Sequence, residues 1–303
     1  MNVLGLIFCN ILWSGSYAAS KHLMSRYHPL EVTFLRELFA VIPLLFIVLK
    51  GGRNSFVARW LANGISKTDI RLFMVGMLTF FVSPICQMTG LSMTRAIDSS
   101  LMIALEPLIT ILLAIVFLKE KLHYTQVISI CLAIGGVFIL SDSDIGKILA
   151  FTDTRLLGNL IFTIALFCEA AYSILAKPIL HLREPEIFIT VSLLVGVCAL
   201  FFYNVIFDEA ARLSGLIVLF QQSPALDWIL FFGMVVGGTA LGYLYWVKLM
   251  SGMPLSLMAI TLYVQPVLGP IWGSVFLGEK ISSSTFIGAV LIFAAVLLGT
   301  RKK

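Results

Sequence analysis

Apolar residues in this chain run in stretches of about 18 to 25, the length that crosses a hydrocarbon core about 30 Å thick, and turn residues or charges punctuate them. The pattern predicts ten helices. The first five run from Val3 to Ser20, Pro29 to Leu49, Ile70 to Leu91, Ala96 to Leu118 and His123 to Leu140. The second five run from Leu156 to Ala176, Pro185 to Phe207, Leu226 to Leu249, Met253 to Leu277 and Ser282 to Gly299. Two connections are longer than the rest. The one from Lys50 to Arg71 contains FVARWLANGI, which predicts a short helix on the inner interface with Trp60 at headgroup depth. The one from Asp208 to Asp227 contains LSGLIVLF, too short to span and expected to rest on the outer surface.

Composition agrees with lipid as the solvent. The 303 residues are 59% hydrophobic and 12% charged, against about 25% charged in soluble domains. The expected fold class is an all-α integral membrane protein with ten transmembrane helices. The first apolar run is followed by small residues, as in a signal peptide, but it lacks a basic leader and nine more runs follow, so it reads as the first span. The net charge of +5 comes from Lys and Arg set mainly between apolar runs. They read as topology signals, with no nucleic-acid partner. With a cytoplasmic N-terminus, the inner segments hold about twice the Lys and Arg of the outer ones, so both termini are expected on the cytoplasmic side of an inner membrane. The five cysteines lie in apolar runs without a CxxC pattern and read as small packing residues.

The chain repeats itself. VFLKEKLHYTQVI from Val116 returns in outline as VFLGEKISSSTFI from Val275, an offset of 159 that also lays Glu106-Pro107 on Gln265-Pro266 and Glu120 on Glu279. Nearer each beginning the offset is 156, where Trp13 falls on Glu169 and Lys21 on Lys177. Residues 1–145 and 152–303 are thus expected to be two copies of a five-helix unit. An odd number of helices per copy makes the second enter the membrane in the opposite sense, an inverted repeat of the kind that builds secondary transporters around a midplane site. Pro107 and Pro266 mark that site. A mid-helix proline removes a backbone donor, freeing the carbonyls of Ile103 and Leu262.

These features together resemble the EamA-type transporters of the drug/metabolite transporter superfamily. The resemblance rests on the run Trp13-Ser14-Gly15-Ser16-Tyr17, the pair Arg36-Glu37, the prolines Pro107 and Pro266, and Glu120 and Glu279 at helix ends. It covers essentially the whole chain and implies a ten-helix carrier that exports small metabolites such as amino acids, or drugs. It also commonly places an arginine where Arg36 stands, and a structural or gating ion pair is favoured there over direct ligation. Glu169 departs from the family's usual apolar or aromatic residue.

Charges inside a membrane helix cost about 2.5 to 3.5 kcal/mol on insertion scales, which singles out Arg36, Glu37, Glu106 and Glu169. Glu106 has two open readings: a partner for a substrate ammonium or a proton, or an ion pair with Arg36 that only holds helices together. Glu169 and Tyr172, three apart, share a face, and the alternative for them is an interhelix hydrogen bond. Lys21 and Lys177 are expected to snorkel to the interface. Trp13 with Tyr17, Tyr243 with Trp246, and Tyr263 beside Gln265 supply aromatic faces suited to an organic cation or a zwitterionic amino acid. Trp228, Trp246 and Trp272 are alternatively interface anchors. Gly233/Gly237, Gly238/Gly242 and Gly269/Gly273 keep a spacing for close helix packing, within a monomer or, as the runner-up, at a dimer interface.

The candidate substrate-binding set is therefore Trp13, Tyr17, Glu106, Glu169, Tyr172, Tyr243, Tyr263 and Gln265, with Arg36, Glu37, Pro107 and Pro266 in gating or ion-pair roles. No GxxxxGK[ST] loop, HExxH or GxSxG motif occurs, so neither ATP hydrolysis nor another enzymatic activity is expected, and no metal or cofactor is called for. The partners are a small-molecule substrate and membrane lipid. Alternatives to metabolite export are multidrug or organic-cation efflux, nutrient uptake, and a membrane sensor or assembly subunit that moves no solute.

Overall fold

A computed structural model describes residues 3–50, 64–106, 108–110, 113, 124–141, 153–207, 222–253, 258 and 261–299. Among the described residues the regular structure is helical throughout. The segments are α1 (Val3–Leu23), α2 (Pro29–Lys50), α3 (Lys67–Met93), α4 (Ala96–Leu105) and α5 (Tyr124–Leu140), then α6 (Thr154–Leu180), α7 (Pro185–Phe207), α8 (Ala225–Met250), α9 (Val264–Leu277) and α10 (Ser283–Gly299). Of these, α2, α3, α6, α7 and α8 are long and apolar enough to cross a membrane. Large apolar side chains such as Phe46, Phe202, Ile206, Val275 and Phe286 stand exposed on the helix exteriors, a surface that hydrocarbon covers and water does not. The protein is a helical, multi-pass membrane protein.

Helix starts fall earlier than hydropathy alone predicts where polar caps exist. Ser66 and Asp69 form a reciprocal capping box that starts α3 at Lys67, and Asp153 accepts from the Leu156 amide to start α6 at Thr154. The segments FVARWLANGI and LSGLIVLF, along with Glu120 and Pro107, lie outside the described residues.

Packing follows a reciprocal scheme. The pairs α2 with α7, α4 with α9 and α5 with α10 each join one helix of the first half to its sequence counterpart in the second. Helix α1 packs on α8 and α9, and α6 on α3 and α4. Glycines permit the tightest crossings. A Cβ at Gly269 would collide with the Ser100 side chain of α4, and one at Gly288 would sit 2.8 Å from the Gly136 carbonyl of α5. Gly237, Gly238 and Gly242 of α8 lie against Leu12, Ser16 and Trp13 of α1, whereas Gly233 faces open space.

The helix ends are tied by bonds that recur in both halves. Lys21 Nζ donates to the carbonyls of Leu91, Ser92 and Thr94 at 2.7, 3.1 and 2.6 Å, capping the C-terminal end of α3. Lys177 donates to the Met253 carbonyl at 3.2 Å at the end of α8. A cation there meets both unbonded carbonyls and the negative end of the helix dipole. Asp69 pairs with Arg183 at 2.7 Å, and Asp227 with Arg26 at 3.2 Å, each bond joining one half to the other. Glu279, placed at a helix end by the sequence, accepts with its two oxygens from the Ala96 and Ile97 amides at 2.9 Å. It caps the N-terminus of α4. All five cysteines are free, with Cys131 and Cys198 exposed on helix exteriors and not buried in packing.

Candidate functional site

The predicted continuous helices from Ala96 to Leu118 and from Met253 to Leu277 are both interrupted. In α4 the α-helix gives way to a 3-10 turn over Ile103–Leu105, and the Glu106 amide donates to the Ile103 carbonyl. Before α9, Leu262 and Tyr263 form a turn, and the Gln265 amide donates to the Leu262 carbonyl at 3.0 Å. Pro266 explains the second case. Without an N–H it leaves the Leu262 carbonyl to the residue before it, which tightens the turn by one residue. The tightened turns bring Glu106 and Gln265 to the wall of one central cavity.

That cavity has a volume of about 90 Å³. Its lining contains matched positions of the two halves: Trp13 with Glu169, Ser16 with Tyr172 and Tyr17 with Ser173 at an offset of 156. Ile103 with Leu262, Glu106 with Gln265 and Gln87 with Trp246 follow at 159. The two facing helices contribute irregular stretches, with π-helical turns at Leu78–Val82 in α3 and Gly233–Leu241 in α8. Such turns leave backbone groups open to side chains. Trp13 Nε1 donates to the Gly238 carbonyl at 2.7 Å, and Glu169 accepts from Ser83 Oγ, just past the α3 turn, at 2.8 Å.

One wall is aromatic. Trp13 lies 5.4 Å from Tyr243 and 5.3 Å from Trp246 between ring centroids, and Phe80 lies 5.1 Å behind Tyr243. Trp246 is therefore part of the cavity and no interface anchor. Trp272 bonds Ser14 Oγ at 2.9 Å, and Trp228 stacks on Phe232. The charged groups are Arg36, Glu106 and Glu169. The ion pair between Glu106 and Arg36 weighed from sequence does not form. Among the described residues the one carboxylate within ion-pair range of Arg36 is Glu37, 3.8 Å from Nη2. Glu106 and Glu169 both line the cavity with Arg36. Glu37 is fully buried off the cavity, and neither of its oxygens accepts a hydrogen bond.

Of the sequence candidates, Trp13, Tyr17, Glu106, Glu169, Tyr172, Tyr243 and Gln265 come together on this lining with Arg36. Tyr263 does not: it lies beside Phe293, with ring centroids 6.4 Å apart. Pro266 is buried in α9 and shapes the turn without lining the cavity. The sequence reading missed Ser16, Ser20, Gln87, Ser173 and Thr239 on the lining, and Asn10, which accepts from Gln265 Nε2 at 2.8 Å. Helical spacing carried a signal for three of them, since Ser16 and Ser20 continue the Trp13 face and Ser173 follows Glu169 by four.

Comparison with known proteins adds identity to this geometry. The sequence model of the EamA-like transporter family matches residues 1–142 and 156–301. An uncharacterized transporter of Bacillus subtilis, YetK, is 26% identical over 275 residues, covering 89% of this chain and 77% of that one. A protein of Escherichia coli K12 named a probable amino-acid metabolite efflux pump is 26% identical over 302 residues, covering 95% and 91%. One solved crystal structure superposes with a TM-score of 0.62 at 16% identity, covering 97% of this chain and 95% of that one, a likeness of fold alone.

Proposed function

The chain belongs to the EamA-like transporter family, and on that premise we propose that it is a ten-span secondary carrier that exports amino acids or related small metabolites. In this reading residues 1–145 and 152–303 are inverted copies, both termini are cytoplasmic, and the membrane is the inner one. The two copies rock about the central cavity in alternating access, with the interrupted α4 and the turn before α9 as bending points. A monomer carries the function. The observation that carries the reading is the cavity itself, lined by matched positions of both halves, holding Arg36, Glu106 and Glu169, and bordered by the irregular stretches of α4 and α8. Inverted-repeat carriers bind substrate at such a place, and an isolated intramembrane charge without a transport role is costly. The name of the Escherichia coli relative supports amino acids as cargo.

Proton exchange through Glu106 or Glu169 is part of the proposal. Purified protein in liposomes is expected to move labelled amino acids in response to an imposed pH gradient, and Glu106→Gln and Glu169→Gln to lose that response. Unchanged pH-driven flux in both variants removes these acids from the coupling step. A second reading, efflux of organic cations, draws on the aromatic wall of Trp13, Tyr243 and Trp246 beside two carboxylates. It predicts flux of amines and quaternary ammonium compounds in the same assay.

A further inference from the structure

Arg36 behaves unlike the arginines that fasten this fold. Arg155 bonds both oxygens of Asp98 at 2.6 and 3.1 Å, and Arg183 reaches Asp69 at 2.7 Å. Arg36 stands 3.8 Å from Glu37, and its Nε is buried without a hydrogen-bond partner, beyond the 2.7 to 3.2 Å of an N–H···O bond. The Tyr172 hydroxyl on the same cavity is also buried without a partner. Both groups are donors, and an unmatched buried donor carries its full desolvation penalty. The group that satisfies a guanidinium best is a planar carboxylate, which takes two of its N–H bonds at once.

The acids set the other half of the ligand. Glu169 and Glu106 line the same cavity as Arg36, and Glu169 accepts from Ser83 Oγ at 2.8 Å. Glu106 makes no side-chain hydrogen bond among the described residues, so a cation between the two acids meets one free carboxylate. An α-amino acid carries carboxylate and ammonium on one carbon, the two charges that a cavity holding an arginine beside two carboxylates takes together. A volume of about 90 Å³ holds roughly six to nine water-sized groups, the size of a small amino acid.

Building on the carrier reading above, we propose that Arg36 and Tyr172 receive the carboxylate of a zwitterionic α-amino acid whose ammonium lies between Glu169 and Glu106. The side chain faces Trp13 and Tyr243. Arg36 is then a substrate ligand and the residue that separates amino acids from amines.

The test pairs L-serine, L-valine and L-leucine with their decarboxylated forms, ethanolamine, isobutylamine and isoamylamine, on the full-length protein in nanodiscs. Tryptophan fluorescence, with Trp13 and Trp246 on the cavity, and thermal stabilisation read binding. Wild type is expected to bind at least one amino acid about tenfold or more tighter than its amine. Arg36→Gln weakens that amino acid by about ten- to a hundredfold and leaves the amine unchanged, Arg36→Lys recovers part of the loss, and Tyr172→Phe shows a smaller loss. Equal weakening of amino acid and amine in Arg36→Gln overturns the assignment, as does wild-type preference for the amines. Binding and flux of amines alone leaves the carrier reading standing and removes the zwitterion. Absence of binding and flux for all six compounds overturns both.

Discussion

Lys21 in the first half and Lys177 in the second donate to carbonyls at the ends of α3 and α8, yet eight residues upstream of each the same helices offer a tryptophan and a glutamate. The comparison extends around the molecule. Asp69 with Arg183 matches Asp227 with Arg26, and the amide of Glu106 on Ile103 matches that of Gln265 on Leu262. On the cavity the matched positions differ in chemistry: Trp13 against Glu169, Ser16 against Tyr172, Glu106 against Gln265. Backbone groups at helix ends and breaks need the same satisfaction in both halves, because any unmatched carbonyl or amide is expensive in lipid. Side chains facing a cavity answer to the ligand, which has no two-fold symmetry.

Not every frame contact is duplicated, and the buried Asp98 cluster gives the largest expected effect. Asp98 is fully buried and bonded by Arg95 and Arg155, while the offset of 159 places Leu257 at the matching position. Asp98→Ala removes the carboxylate from both arginines, which keep bonds to Lys280, Thr285 and Leu140, and is expected to cost about 3 to 5 kcal/mol, read as a fall in thermal stability in detergent. A loss below about 1 kcal/mol would show that the first half does not depend on this asymmetric lock. Next comes the lysine pair. Lys21→Met gives up three charge-assisted bonds and Lys177→Met one of 3.2 Å. The first is expected to cost about 1.5 to 3 kcal/mol and the second about 1; the reverse order breaks the parallel.

Moving a charge between halves sharpens it further. Glu106→Gln/Gln265→Glu keeps the cavity charge, but the new carboxylate meets the Asn10 Oδ1 that now accepts from Gln265. Lost flux is expected to stay lost in the double variant, and full recovery would mean that charge alone matters and its position does not. The smallest effect is expected for Glu279→Gln. The amide keeps one acceptor for the two amides of α4 and costs about 1 kcal/mol, the size of a helix cap, by the same thermal measurement.

Much of this frame was legible in residue order. Apolar run length located the helices, and the duplicated prolines located both breaks, because a missing N–H is a property of one residue. The roles of Lys21 and Glu279 were not legible. Each acts on backbone groups of another helix, and hydropathy reads a helix-end charge as an interface anchor whichever partner it finds. Tyr263 went wrong for a related reason: adjacency to Gln265 in sequence says nothing of direction once the turn at Leu262 and Tyr263 rotates the chain. Arg36 and Glu37, expected in ion-pair roles, stand within ion-pair range at 3.8 Å, but that separation is too long for a hydrogen bond, which residue order does not reveal.

Flux per folded molecule in liposomes, compared between Glu169→Gln and Lys177→Met, tests most directly that the frame holds the fold while the cavity moves the solute. The account predicts wild-type flux per folded molecule for Lys177→Met, with reduced stability, and a loss of about tenfold or more for Glu169→Gln at near wild-type stability. Equal flux per folded molecule in the two variants would contradict it.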